Sequence, residues 1–183
     1  MSDELVVRQC APTLAGIKTG SLFPCRYDSR AQLMDEIRRM NRILVPKGLC
    51  MLPVRCENGS ALLYLYRPDH LRRDLENDLA RQVLANAGYP CGTSTMCVTR
   101  LVQRLRRQAE FPHEVGLFLS YPPEDVAGFI ANSARSCKYS GLWKVYGDVA
   151  KACRMFHAFK SCTADYCRHL SSGASLEDLV VAV

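Results

Sequence analysis

The residues best placed to do chemistry stand in one stretch, FPHEVGLFLSYPPEDVAGFI (111–130), where His113 and Glu114 precede a short apolar run and Tyr121 follows it. A histidine beside a carboxylate is a plausible acid-base group or ligand. The pair is not a zinc-protease motif, because the second histidine of HExxH would fall at residue 117, which is Leu. His113, Glu114 and Tyr121 are therefore the catalytic candidates. A cysteine could pair with His113 in space without being near it in sequence.

A second set lies near the C-terminus. Cys153 and His157 stand four apart, and Cys162, Asp165, Tyr166 and His169 follow at helical spacings. Thiolate and imidazole on one helix face converge on a point, so Cys153, His157, Cys162 and His169 are candidate ligands for a soft metal, iron or haem. The ten cysteines (10, 25, 50, 56, 91, 97, 137, 153, 162 and 167) contain no CxxC or CxC arrangement, which excludes a zinc ribbon or a thioredoxin-type site. Most of them are expected as small core hydrophobes. Arginines gather at 38, 39 and 42, at 72 and 73, and at 100, 104, 106 and 107, but aromatic residues make up only 8% of the chain. Without aromatics among these arginines to stack bases, solvated helix faces are expected rather than a nucleic-acid surface. No GxGxxG, P-loop, GxSxG or kinase set occurs.

The elements that must position these groups follow from periodicity. The stretch CAPTLAGIKTGSLFPCRY, from Cys10, reads as a short helix ending near Gly16, then an extended segment at 22–27. Leu33, Ile37, Met40 and Leu44 predict a helix over 29–44 with Asp28 as its N-cap and Pro46-Lys47-Gly48 as its stop. Two β-prone runs, 49–56 and 61–68, flank an Asn-Gly turn signal and predict a hairpin, with Pro53 marking an edge or a bulge. Leu71, Leu75, Leu79 and Val83 predict one helix over 68–87, and a further helix spans about 93–109. Val115 to Leu119 reads as a short buried strand. Pro122-Pro123-Glu124-Asp125 opens a helix whose apolar side is Val126, Phe129 and Ile130. A strand at 142–147, a long helix over 149–170 capped by Asp148, and a terminal strand at 179–183 complete the reading.

The fold class expected is α+β: a single domain of 183 residues, with a mainly antiparallel sheet of four to six strands, a central hairpin at about 49–67 and amphipathic helices packed on it. A chain of this length buries roughly 70% of its unfolded surface and needs no disulfide frame. Its N-terminus lacks a signal-peptide apolar run, and no stretch approaches the ~18 apolar residues of a membrane span. A cytoplasmic protein with reduced thiols is expected, without a membrane partner. The net charge of +6 comes from interspersed residues of both signs and names no partner.

Three segments together, CAPTLAGIKTGSLF, FPHEVGLFLSYPPEDVAGFI, and CKYSGLWKVYGDVAKA with CTADYCRHL, resemble a bacterial family catalogued as domain of unknown function 3793. The resemblance covers nearly the whole chain. It implies a cytosolic protein of an anaerobic, gut-type bacterium and assigns no residue a role. The shared phrases fall at segment junctions, where sites tend to be built. If these junctions converge, Lys144, Tyr146 and Asp148 join His113, Glu114 and Tyr121 in one cleft as candidate cofactor-binding residues, with Lys18 or Cys10 adjacent. The expected function is binding of a small ligand or a metal- or haem-type cofactor through loop-end Cys, His and Tyr residues. The alternatives are an enzyme using a cysteine nucleophile or His113 as general base, and an adaptor using its basic helices against an acidic partner or nucleic acid.

Overall fold

The computed structural model describes residues 1–107 and 111–182. The class is α+β. The chain divides into two compact units, Met1–Asp69 with Phe159–Val183, and His70–Ala158.

In the first unit, α1 (Asp3–Leu14) leads into β1 (Gly20–Arg26), and α2 (Arg30–Leu44) ends in a short 3₁₀ turn, Val45–Lys47, closed by Gly48 at φ 79°. The cap of α2 is Ser29, whose hydroxyl accepts from Gln32 N, and not Asp28. β2 (Cys50–Glu57) and β3 (Ser60–Tyr66) form the expected hairpin, turned at Asn58 and Gly59, both with positive φ. The sheet order is β1-β3-β2, all antiparallel. Pro53 lies on the edge strand β2, where the register slips between Pro53 and Arg55, because proline has no N–H to give the ladder. Phe23, Met51, Leu63 and Leu65 face α1 and α2 across a core that also takes Leu176 and Leu179 of α8 (Leu176–Leu179). Residues 179–182 contain no strand, since Ser175 and Asp178 form a capping box that starts a helix there; Val183 lies outside the described residues.

Arg67, directly after β3, is 1% exposed. Its guanidinium donates to Thr13 O (2.8 Å), Leu14 O (2.7 Å), Val181 O (2.7 Å) and, at 3.4 Å, Lys47 O. Thr13 and Leu14 end α1, where unpaired carbonyls carry the negative end of the helix dipole. The charge is thus held by carbonyls from three segments.

The second unit is mostly helical. The expected single helix over 68–87 is two, α3 (Pro68–Leu75) and α4 (Asp78–Asn86), because the Asn77 side chain accepts from Ala80 N and starts a new helix. α5 (Ser94–Arg107) follows; the expected end at Ala109 lies outside the described residues. Residues His113–Leu119 form a 3₁₀ helix and not a strand, with Glu114 to Leu119 all buried. A run buried on every side has no polar alternation, so periodicity does not distinguish helix from strand. α6 (Pro123–Ala131) buries Asp125 and Val126 and leaves Ile130 42% exposed. The expected strand at 142–147 is a two-stranded ladder of β4 (Tyr139–Ser140) and β5 (Lys144–Val145). α7 (Val149–Ser171) runs from this unit through Phe159 into residues of the first; Asp148 caps it by accepting from Lys151 N at 2.9 Å. Among the described residues no helix is long and apolar enough to cross a membrane.

Candidate functional site

The candidate residues of the second unit are brought together by α6 and the ladder that follows it. Asp125 is 2% exposed, and its carboxylate accepts from Trp143 Nε1 (2.7 Å), Tyr146 N (2.8 Å) and Gly147 N (2.8 Å). Three donors satisfy a charge that burial alone would make costly. This clamp ties the YPPED segment to LWKVYG. Trp143 then stacks on Tyr121 (centroids 4.7 Å apart) and meets Phe156 edge-on at 4.4 Å.

Two cavities open beside this clamp and share Phe111 and His113. The larger, about 820 Å³, is walled by α4 and α6 side chains including Leu79, Val83 and Ala127, together with Arg104 and Glu114. The smaller, about 410 Å³, takes Tyr121, Trp143 and Lys144 into its lining. His113 itself meets Phe129 edge-on at 4.9 Å. Glu114, 4% exposed, accepts from the Tyr89 hydroxyl at 2.9 Å and lies 2.9 Å from Arg104 Nε. Burial, reinforced by the Glu114 charge, pushes the Tyr89 hydroxyl far above its ordinary range, so it stays a donor. Burial likewise raises Tyr121. Lys144 Nζ donates to Ala134 O at 2.6 Å.

The sequence candidates thus sort into two groups. His113, Glu114, Tyr121 and Lys144 line the cavities. Tyr146 and Asp148 line neither. Tyr146 closes the ladder by donating its hydroxyl to Arg135 O at 2.9 Å, while Asp148 is an exposed cap whose acidity is strengthened chiefly by the Lys151 N–H. Asp125, Arg104 and Tyr89 are polar residues of the site that sequence reasoning missed. For Asp125 a signal existed: a carboxylate next to Val126 and four before Phe129 stands on the apolar side of its helix and must find donors there.

The long-helix set stays dispersed. Cys153 and Cys162 are half-buried, and His157 and His169 are exposed. Among the described residues no group of three or more His, Cys, Asp or Glu side chains comes together around a point that could hold a metal. All ten cysteines are free thiols, but only Cys10, Cys25 and Cys97 are fully buried; Cys56 and Cys167 pack partly buried against the first unit's core, and Cys91 is exposed. Burial raises the thiols of Cys10, Cys25, Cys50, Cys97 and Cys162, which holds them protonated. Neither cavity at His113 has a cysteine in its lining. In the first unit, Lys18 Nζ lies 5.9 Å from the Phe159 ring centroid, and burial lowers its pKa.

No curated protein and no solved structure matches the chain. A family model described as "Protein of unknown function (DUF3793)" matches residues 6–180, nearly the full length, and the chain belongs to that family.

Proposed function

We propose that this is a cytoplasmic small-molecule-binding protein whose ligand occupies the paired cavities at His113. The observation that carries the reading is the construction of the larger cavity. Its volume, about 820 Å³, falls in the range of roughly 300–1,000 Å³ typical of ligand sites. Mostly apolar walls surround a few polar groups, Gln82, Asn86, His113, Glu114 and Arg104, of which Glu114 is fixed by Tyr89 and Arg104 by the Ala87 carbonyl. Apolar side chains are also left toward solvent at its lining, with Phe111 50% and Ile130 42% exposed. Exposed apolar surface rimmed by polar groups is a mark of a binding site.

The iron or haem form of the reading leans on the α7 cysteines and histidines and has less support, since these side chains lack a third donor among the described residues. A cysteine nucleophile activated by His113 has no cysteine in the cavity linings to draw on. Several arginines of the basic faces are spent within their own units: Arg38 on Asp35, Arg39 on Asp3, and Arg72 on Glu76. Free thiols throughout suit a reducing cytoplasm.

The test is a titration with Nile red, an uncharged dye whose emission rises on leaving water. Wild-type protein is expected to bind it at one saturable site, and Ala127→Trp, which fills the cavity, is expected to weaken binding at least tenfold. Equal binding by both proteins would place the dye elsewhere and refute the reading.

A further inference from the structure

The wall of the larger cavity narrows the chemical class of its ligand, an inference that rests on the reading just given. Glu114 uses one carboxylate oxygen for two partners: Oε1 accepts from Tyr89 and lies against Arg104 Nε. Among the described residues no donor bonds Oε2. Arg104 is in a similar position. Its Nη1 donates to Ala87 O at 2.6 Å, its Nε sits 2.9 Å from Oε1 but is misaligned for a hydrogen bond, and among the described residues Nη2 makes none. Both side chains line the cavity and both are largely buried, at 5% and 19% side-chain exposure. The fully buried atom of this pair without a hydrogen bond is Arg104 Nε, whereas Oε2 and Nη2 are open to solvent on side chains that line the cavity, where a ligand group can take the place of the water they meet.

The two unspent atoms differ in kind. Glu114 Oε2 only accepts and Arg104 Nη2 only donates. Their charges cancel, so an anion or a cation entering the cavity meets no net counter-charge and loses its hydration. A neutral group with a donor beside an acceptor satisfies both at once. Gln82, Asn86 and His113 add neutral polar groups to the lining, and its apolar part, Leu79, Val83, Ala127 and Ile130 with the half-exposed ring of Phe111, suits a flat apolar body. We propose that the cavity selects small, uncharged aromatic compounds that carry a hydrogen-bond donor next to an acceptor, as a primary carboxamide or the lactam edge of a nitrogen heterocycle does.

The probes are benzamide, benzoate and benzylamine, three compounds of one size whose head group is neutral, anionic or cationic at neutral pH. Calorimetric titration of the full chain is expected to rank benzamide at least tenfold above the other two, with all binding lost in Ala127→Trp. In Glu114→Gln, which leaves Arg104 uncompensated, benzoate is expected to overtake benzamide; should that variant fail to fold, the wild-type ranking decides alone. Benzoate or benzylamine binding as tightly as benzamide, and lost in Ala127→Trp, would overturn the ligand class while leaving the cavity as the site. Binding of Nile red without binding of benzamide would overturn it equally. If neither Nile red nor any of the three binds, the site and the class both fall.

Discussion

Two buried charges show how single residues organise this chain, and each can be tested by a change that keeps size and alters hydrogen bonding. Asp125 accepts from one indole and two backbone N–H groups. Asn at this position has one acceptor and one donor end, so whichever way the amide turns, an N–H faces an N–H. Asp125→Asn is expected to lower the unfolding free energy by about 3 kcal/mol, read from urea denaturation followed by the fluorescence of Trp143, the chain's single tryptophan. Arg67 poses the complementary case, a cation held by carbonyls in a fixed fork. Lysine is a point charge that cannot span them, so Arg67→Lys is expected to cost about 2 kcal/mol in the same assay. An unchanged midpoint in either variant would mean that the bonds contribute nothing net. The helix pattern shows that Asp125 needs donors, but the sequence does not name the partners of either residue, because those of Asp125 lie 18 to 22 residues away and those of Arg67 as far as 114. His113, by contrast, stood out by type alone, and the structure sets it in the lining of both cavities.

At the scale of elements, the sequence was informative wherever a local rule decides. The β2-β3 hairpin, its Asn-Gly turn, the bulge at Pro53 and the proline-led start of α6 all follow from backbone constraints that neighbours cannot override. Where side chains compete with the backbone, local pattern does not decide the element's bounds. Ser29 displaced Asp28 as cap, and Asn77 cut one expected helix into two. The 3₁₀ segment at His113–Leu119 escaped because a fully buried run carries no period. The β3 strand itself makes a pH prediction. Tyr66 stacks on Tyr64 with rings 4.7 Å apart and pairs with Cys50 across the sheet. Burial, with the Cys50 thiol beside it, pushes the Tyr66 hydroxyl from its ordinary value near 10 to about 12. The folded state therefore favours the neutral phenol. Its contribution is full below the unfolded pKa near 10 and is lost as pH rises through about 12. Denaturation midpoints are expected to fall across that window in wild type, and to fall less steeply in Tyr66→Phe. Equal slopes would remove Tyr66 from the alkaline transition.

For the molecule as a whole, α+β class and antiparallel pairing were legible in the sequence, while the distribution of strands was not. The described strands form a three-stranded sheet in the first unit and a two-stranded ladder in the second, and the ladder's short strands carry too few residues to show alternation. Glycines do much of the fitting there: a side chain at Gly141 would overlap the Phe156 ring, and one at Gly128 would overlap Tyr146. These close approaches bring the phrases YPPED and SGLWKVYGD together and give the smaller cavity its floor of Tyr121 and Trp143. The family-like segments are thus explained in part as mutual packing, with the candidate site built on their edge. Whether this edge binds a small molecule can be read from methyl-labelled protein observed by NMR with one equivalent of Nile red. Shifts are expected at Leu79, Val83, Ala127 and Ile130, with the methyls of the first unit's core unmoved; shifts absent from those four residues, or spread evenly over both units, would rule the site out.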